Sequence, residues 1–408
     1  MTKITILIPT RNRSCFLNRA LMYYSQKKFK CNFIIGDSST DLKEKNNTKK
    51  VCRLYKEDLD IKYVYYSQDI GFGDKLAEMC NLSNSTYTAI VGDDDFLIHQ
   101  GLIECSKFLD ENDDTVAVYG ERIGLMVIDS PNKSKNWYAS RQFRNKNIIG
   151  KDYIERINII ETPSWSQHLY SLYRTDVIKN SLNSIKNVDY SSSTEHLLYM
   201  SIALSGNWIK LDNLFALCSF ETEVFKYRDR KSFPDYWGNY GGKIKQLSHV
   251  NFSKNLSITV ENISELYSKK IDIDKENLKT ELLKCFWFKN SIYLSERFIS
   301  SGWSKSYFVL NKLFKLLLNY NIMIFLLNFI KTLFKKIFWV LMFNKSKDFG
   351  MYIKKQSNLI FILTTILHFS NLKYTLNNLE NKNNLYHNDF MDAFKLWLKF
   401  PMGKKLDK

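Results

Sequence analysis

Through the first 120 residues, short apolar runs alternate with segments of helical periodicity, and this alternation restricts the chain to few folds. Ile4–Ile8 (ITILI) is β-branched and uninterrupted, as a central strand covered on both faces requires. Phe16, Leu17, Ala20, Leu21 and Tyr24 then repeat at helical spacing behind Ser14, a candidate cap. Asn32–Ile35, Ile61–Tyr66 and Thr86–Val91 read as further strands, with a helix over Asp74–Cys80 before the last. His99–Leu109 suits a helix and Thr115–Tyr119 a strand. Exchange at this pace implies a largely parallel sheet in an α/β domain. From Ile123 to Ile160 the pattern loosens into what reads as a variable excursion. It resumes at Gln167–Val177, a helix over Thr194–Leu204 and a strand over Ile209–Leu217. Arg228–Gly242 carries Pro234, Gly238, Gly241 and Gly242, which marks a loop or domain edge.

Beyond Gly242 the chain reads as helical. The 408 residues are 45% hydrophobic and 25% charged, enough to bury a core in more than one unit. The net charge of +17 is concentrated at the end: from Ser301 onward there are 17 lysines against five acidic residues. Asn311–Phe343 is strongly apolar, yet Lys315, Asn319, Asn328, Lys331 and Lys335 recur on one broad helical face. Its longest uncharged stretch, Leu316–Ile330, falls short of the roughly 20 residues a spanning helix needs. These segments are expected to lie in an anionic membrane interface, with lysines reaching above a buried apolar face. An ordinary helical core or a homo-oligomer contact is the alternative. Lysines interleaved with large apolar residues, and no recognition motif, argue against nucleic acid as the partner. The seven cysteines are scattered and never spaced C-x-x-C, which excludes a disulfide framework or a structural zinc site as the organising device. The opening segment reads as a strand, not a signal peptide, so a cytoplasmic location, peripheral at the inner face of the cell membrane, is expected.

Three pieces carry chemistry. Asp93-Asp94-Asp95 follows a buried strand, where three adjacent carboxylates call for a cation such as Mg²⁺ or Mn²⁺; a solvated acidic turn is the plain alternative. Asp37 ends the next strand over, in Gly-Asp-Ser-Ser, where a carboxylate can accept from a nucleobase imide or a ribose, or merely cap a turn. Ile8-Pro9-Thr10-Arg11-Asn12-Arg13 joins the first strand to its helix and offers arginines and backbone N–H groups suited to a phosphate. Strand carboxyl ends are where open α/β sheets gather ligands.

In this order and spacing, Ile4–Tyr119 resembles the inverting family 2 glycosyltransferases of GT-A fold, and the likeness extends over about the first 220 residues. The carrying segments are ILIPTRNR, IIGDSS, the intermediate QDIGFG and VGDDDF, followed by the helix Gly101–Leu109. The resemblance implies a metal-dependent transfer of a sugar from a nucleoside diphosphate, UDP above all; a membrane-apposed transferase would suit a glycan or lipid-linked acceptor, as in bacterial surface polysaccharide synthesis. It implies that Asp37 reads the base, with Thr10, Arg11 and Arg13 beside the nucleotide. Asp93 would contact the ribose or the metal, Asp95 would ligate the metal on the diphosphate, and Asp94 would stand beside the nucleotide without a distinct role. Lys75 is a further phosphate candidate or a surface lysine. Ser193-Thr194-Glu195-His196 occupies the place of the family's general base; a histidine stands where an aspartate is common, so Glu195 and His196 both remain candidates. Trp165 and His168 precede a segment resembling the acceptor side, where they could meet a sugar face and a phosphate or hydroxyl, or be a core aromatic and a surface histidine. The expected organisation is a catalytic domain over 1–230, a helical linker or acceptor region over 231–300, and a basic apolar helical region over 301–408. The rival is a membrane-associated scaffold that keeps the fold without catalysis.

Overall fold

The computed structural model describes residues 3–129, 135–141, 146–160, 168–188, 192–221, 249–286, 383–400 and 406. Its centre is one nine-stranded sheet: β1 (Ile4–Thr10), β2 (Asn32–Asp37), β3 (Asp60–Tyr65), β4 (Tyr87–Ile90), β5 (Phe96–Leu97), β6 (Thr115–Asp129), β7 (Lys135–Arg141), β8 (Leu172–Arg174) and β9 (Asn207–Glu221). The order across it is β3-β2-β1-β4-β8-β6-β9-β5, with β7 paired to β6. β1, β2, β3, β4, β6 and β9 run one way, and β5, β7 and β8 run against them. The expected α/β architecture, built on a mostly parallel sheet, is therefore present.

Helices α1 (Ser14–Gln26), α2 (Leu42–Leu54) and α3 (Phe72–Asn81) connect the first four strands. They bury β1 so fully that Ile6, Leu7 and Ile8 are each 0% exposed, the reason this strand has no polar alternation. Helix α4 (His99–Glu111) crosses β9 closely: a Cβ on Gly101 would lie 1.9 Å from the Leu214 carbonyl oxygen. α5 (Tyr153–Ile159), α6 (Thr175–Ser184) and α7 (Ser192–Ser205) follow. α8 (His249–Tyr267) and α9 (275–286) supply Val260, Ile263, Leu278 and Phe286 to the same buried core. α10 (His387–Lys399) also joins that core through Phe390 and a fully buried Trp397.

Several expectations are corrected. The excursion after Ile123 is partly sheet: β6 continues to Asp129 and pairs with β7, and α5 follows. Ser14 does not cap α1; the cap position is Arg13, and Glu44 of α2 accepts from the Ser14 N–H at 2.9 Å. A helix absent from the sequence reading, α2, lies between β2 and β3, its N-terminus capped by Asp41. Most of the 301–408 region, the loop at Arg228–Gly242 and Trp165 lie outside the described residues. Among described residues, no helix is long and apolar enough to cross a membrane.

Candidate functional site

The chain turns back at β1: β2 and β3 build outward on one side and β4 on the other. In parallel α/β sheets the crevice beyond such a reversal collects ligands, because the helices on the two sides diverge there. Register puts the motif ends at this crevice. Thr10 pairs with Asp37 across β1 and β2, while Leu7 pairs with Ile90 across β1 and β4. Three residues beyond the latter pair, Thr10 and Asp93 face each other, and the Thr10 hydroxyl donates to Asp93 Oδ2 at 2.7 Å.

The three carboxylates occupy different surroundings. Asp93 is buried, and Arg13 reaches it at 3.2 Å while also pairing with Asp94 at 2.6 Å. Asp94 is the most open of the three, its side chain 15% exposed. Asp95 is buried, accepting from the Ser219 N–H at 2.6 Å and from the Tyr170 hydroxyl at 2.5 Å. Tyr170 in turn accepts from the Gly92 N–H at 3.0 Å, so one phenol bridges both ends of the turn. A side chain at position 92 would crowd that bridge, since a Cβ there falls 2.8 Å from the Tyr170 oxygen. Burial, opposed by Arg13 and aided by Asp94, pushes the Asp93 carboxyl up to about 6. Burial and the Asp94 charge push Asp95 well above the usual carboxylate range.

Two buried carboxylates at one corner, Asp93 and Asp95, are the donor type a divalent cation takes. Small hard cations are commonly held by one or two carboxylates, with substrate phosphates completing the shell. Among the described residues no group of three or more His, Cys, Asp or Glu side chains could hold a metal by itself.

Asp37 is fully buried at the end of β2. It accepts from the Ser39 N–H at 2.8 Å, the Ser39 hydroxyl at 2.5 Å and the Tyr63 hydroxyl at 2.9 Å. Lys75, at the start of α3, is no surface lysine: it is 5% exposed and donates to the Thr10 carbonyl at 3.2 Å and the Ser38 hydroxyl at 2.9 Å. Burial lowers its ammonium to about 8 against the pull of Asp93 and Asp37. Arg11 donates to the Gln68 carbonyl at 3.0 Å, tying the first loop to the segment before α3. Thr10, Arg13, Asp37, Lys75 and Asp93–Asp95 therefore line one end of the sheet.

No family model matches this chain, and no curated protein matches it. Solved structures do. The chain is similar to the S. aureus TarS fragment 1–349 in complex with UDP-GlcNAc, at 14% identity and a TM-score of 0.41, over 72% of this chain and 92% of that one. The same fragment in complex with UDP matches at 15% identity and a TM-score of 0.40, over 72% and 91%. Mannosyltransferase PcManGT from Pyrobaculum calidifontis, in complex with GDP-Man and Mn²⁺, matches at 11% identity and a TM-score of 0.35, over 84% and 88%.

The remaining candidates separate. Glu195, in the first turn of α7, is buried and accepts from the Tyr199 hydroxyl. That hydroxyl also accepts from the Leu169 N–H at 3.1 Å, one residue from Tyr170 and its bond to Asp95. His196 is 0% exposed, its ring 5.7 Å from that of Phe286 on α9. His168, expected on the acceptor side, is buried against Tyr119, Tyr199 and Trp208, with ring centroids 5.5, 5.5 and 4.8 Å away. Burial, with the Arg122 charge adding, lowers its imidazole to about 3. It is a neutral core residue. Sequence reasoning missed Tyr170, Ser219 and Arg19, whose contacts to the carboxylate turn span 75 to 124 positions.

Proposed function

We propose that this chain is an inverting, metal-dependent glycosyltransferase of family 2 that moves a sugar from a nucleoside diphosphate, UDP first among them, to a hydroxyl of a glycan or lipid-linked acceptor. One observation carries the reading: Thr10, Arg13, Asp37, Lys75 and three carboxylates converge at the sheet's point of reversal. One cation from a loop, one from the start of α3 and acids from the turn after β4 suit a diphosphate held through a divalent ion. Mn²⁺ or Mg²⁺, on Asp93 and Asp95, would supply charge neutralisation for the leaving diphosphate.

The chain's own residues account for the rest. Arg13 and Lys75 give the donor phosphates positive charge, and the Asp37 end of β2 borders the place for the base. Of the two base candidates, Glu195 is favoured, because its hydrogen-bond route leads through Tyr199 to the segment touching Asp95, whereas His196 packs on α9. Glu195 takes the proton of the acceptor hydroxyl as that oxygen bonds to the anomeric carbon. The bond from that carbon to the diphosphate breaks with its electron pair left on the phosphate oxygen, so configuration inverts. Screening UDP-, GDP- and TDP-sugars for Mn²⁺-dependent binding and hydrolysis tests the reading. Binding of none of them by the full chain refutes it.

A second reading, a scaffold that keeps the fold without transfer, is favoured by Asp37, whose two oxygens are both engaged within the chain. Donor binding without hydrolysis or transfer to any acceptor would select it.

A further inference from the structure

Arg19 is the most deeply buried cation near the carboxylate turn, at 0% exposed, and the function above gives it no task. Its guanidinium donates to the Asp94 carbonyl at 2.6 Å and to the Ser219 hydroxyl at 3.0 Å. Ser219 is the residue whose N–H holds Asp95. A third bond, at 2.9 Å, goes to the carbonyl of Phe400, the residue that ends α10. A planar fork that satisfies three acceptors in fixed directions suits arginine and no other side chain.

Near its start, helix α10 is fastened to two further elements. Lys27, the residue that follows α1, pairs with Asp389 at 2.9 Å and Asp392 at 2.6 Å. On α4, which begins two residues after β5, the Gln100 N–H donates to Asp389 at 2.8 Å, and Tyr386 donates to Glu104 at 2.6 Å. α4 has no side-chain cap of its own, so Asp389 supplies a cap from nearly 300 residues away.

We propose that α10 is a clamp on the donor site, with Arg19 as the positioning residue that transmits its docking to the Asp94 backbone and, through Ser219, to Asp95. The inference rests on the reading above in one respect, that the turn receives a diphosphate. Turn, strand β9 and α10 then form one unit, and loosening the helix displaces carboxylates that it does not touch.

Hydrogen exchange on the full chain tests this, comparing wild type, Arg19→Gln and Lys27→Ala. Lys27 lies outside the site, so K27A keeps the test open where R19Q fails to fold. Both variants are expected to speed exchange across 93–97 at least tenfold, along with 387–399, while β1 and β2 stay at the wild-type rate. Under K27A, acceleration confined to 387–399 overturns the proposal. Equal acceleration everywhere overturns it too, since the helix would then support the domain and not the turn. Titration with UDP and Mn²⁺ adds a second readout, with K27A expected to weaken binding at least threefold. Wild-type affinity in K27A despite faster exchange removes the positioning role and leaves the donor reading standing. Wild type that binds no nucleoside diphosphate removes the donor reading, and exchange alone then decides the clamp.

Discussion

At the scale of single residues, Asp95 carries two burdens at once. It holds the Ser219 N–H and the Tyr170 hydroxyl, and it is the preferred metal ligand in the proposed reaction. Asp95→Ala leaves two buried donors without an acceptor, at a cost of about 1–3 kcal/mol each. Asp95→Asn keeps the shape and one oxygen, so it is the cleaner variant. It is expected to unfold at a urea midpoint between those of wild type and Asp95→Ala, while Mn²⁺-dependent donor hydrolysis falls at least about a hundredfold. Retained hydrolysis would remove Asp95 from the metal's ligands. His168 makes a different prediction. Its imidazole stays neutral in the fold down to about pH 3, against an ordinary value near 6.5. Between those values the unfolded chain binds a proton that the folded chain refuses, so stability is intact above pH 6.5 and falls as pH drops below it. His168→Phe, which keeps a ring among Tyr119, Tyr199 and Trp208, is expected to flatten that slope by about 2 kcal/mol between pH 7 and pH 5. Urea titrations at the two pH values measure it, and an unchanged slope would mean that His168 charges inside the fold.

At the scale of elements, the site depends on how two loops are joined. Asn12 sits at φ 53, a left-handed conformation that asparagine tolerates better than alanine. Its amide donates to the Thr40 hydroxyl at 2.7 Å and accepts from the N–H groups of Thr40 at 2.9 Å and Asp41 at 3.1 Å. The β1–α1 loop is thereby sewn to the β2–α2 loop beside Thr10 and Asp37. Asn12→Gly loses those bonds but keeps the backbone at ease; Asn12→Ala loses both. The alanine variant should therefore be the less stable by about 1 kcal/mol in thermal or urea melts. A glycine variant equal to or weaker than alanine would show that the strained φ is not what the position demands. This junction also marks what the sequence makes legible. β1, β2 and β4 were readable because a strand buried on both faces must be apolar without interruption, and motif residues at their ends then fell at one edge. α2 was not, because LKEKNNTKKVCRL buries only Thr48, Val51 and Cys52 and so shows little apolar periodicity. The Glu44 cap on α1, and Asn12 as a joint, depend on neighbours that spacing along the chain does not reveal.

At the scale of the whole molecule, the basic end of the chain has two duties to reconcile. α10 belongs to the same buried core as the sheet through Phe390, Phe394 and Trp397, so this part of the chain after Ser301 cannot be removed without exposing that core. Tyr170, Ser219 and Arg19 make the same point, since each reaches the carboxylate turn from a distant segment that no local pattern connects to it. The lysines among the large apolar residues of Asn311–Phe343 are the part proposed to meet an anionic membrane. A chain ending near Ser300 would lose both features and blur any membrane assay. Substitution in the full chain separates them: Lys312, Lys315, Lys331, Lys335 and Lys336 exchanged for Gln remove five charges and leave α10 in place. Each lysine near an anionic surface contributes about 1 kcal/mol, so the variant should lose more than a hundredfold in partition onto phosphatidylglycerol vesicles. Raised salt should weaken the wild type in the same direction, because the attraction is screened within about a Debye length. Co-sedimentation measures both. If wild type and variant bind alike at low salt, the charge serves something other than a lipid surface, and a second copy of the chain becomes the partner to test by sedimentation velocity.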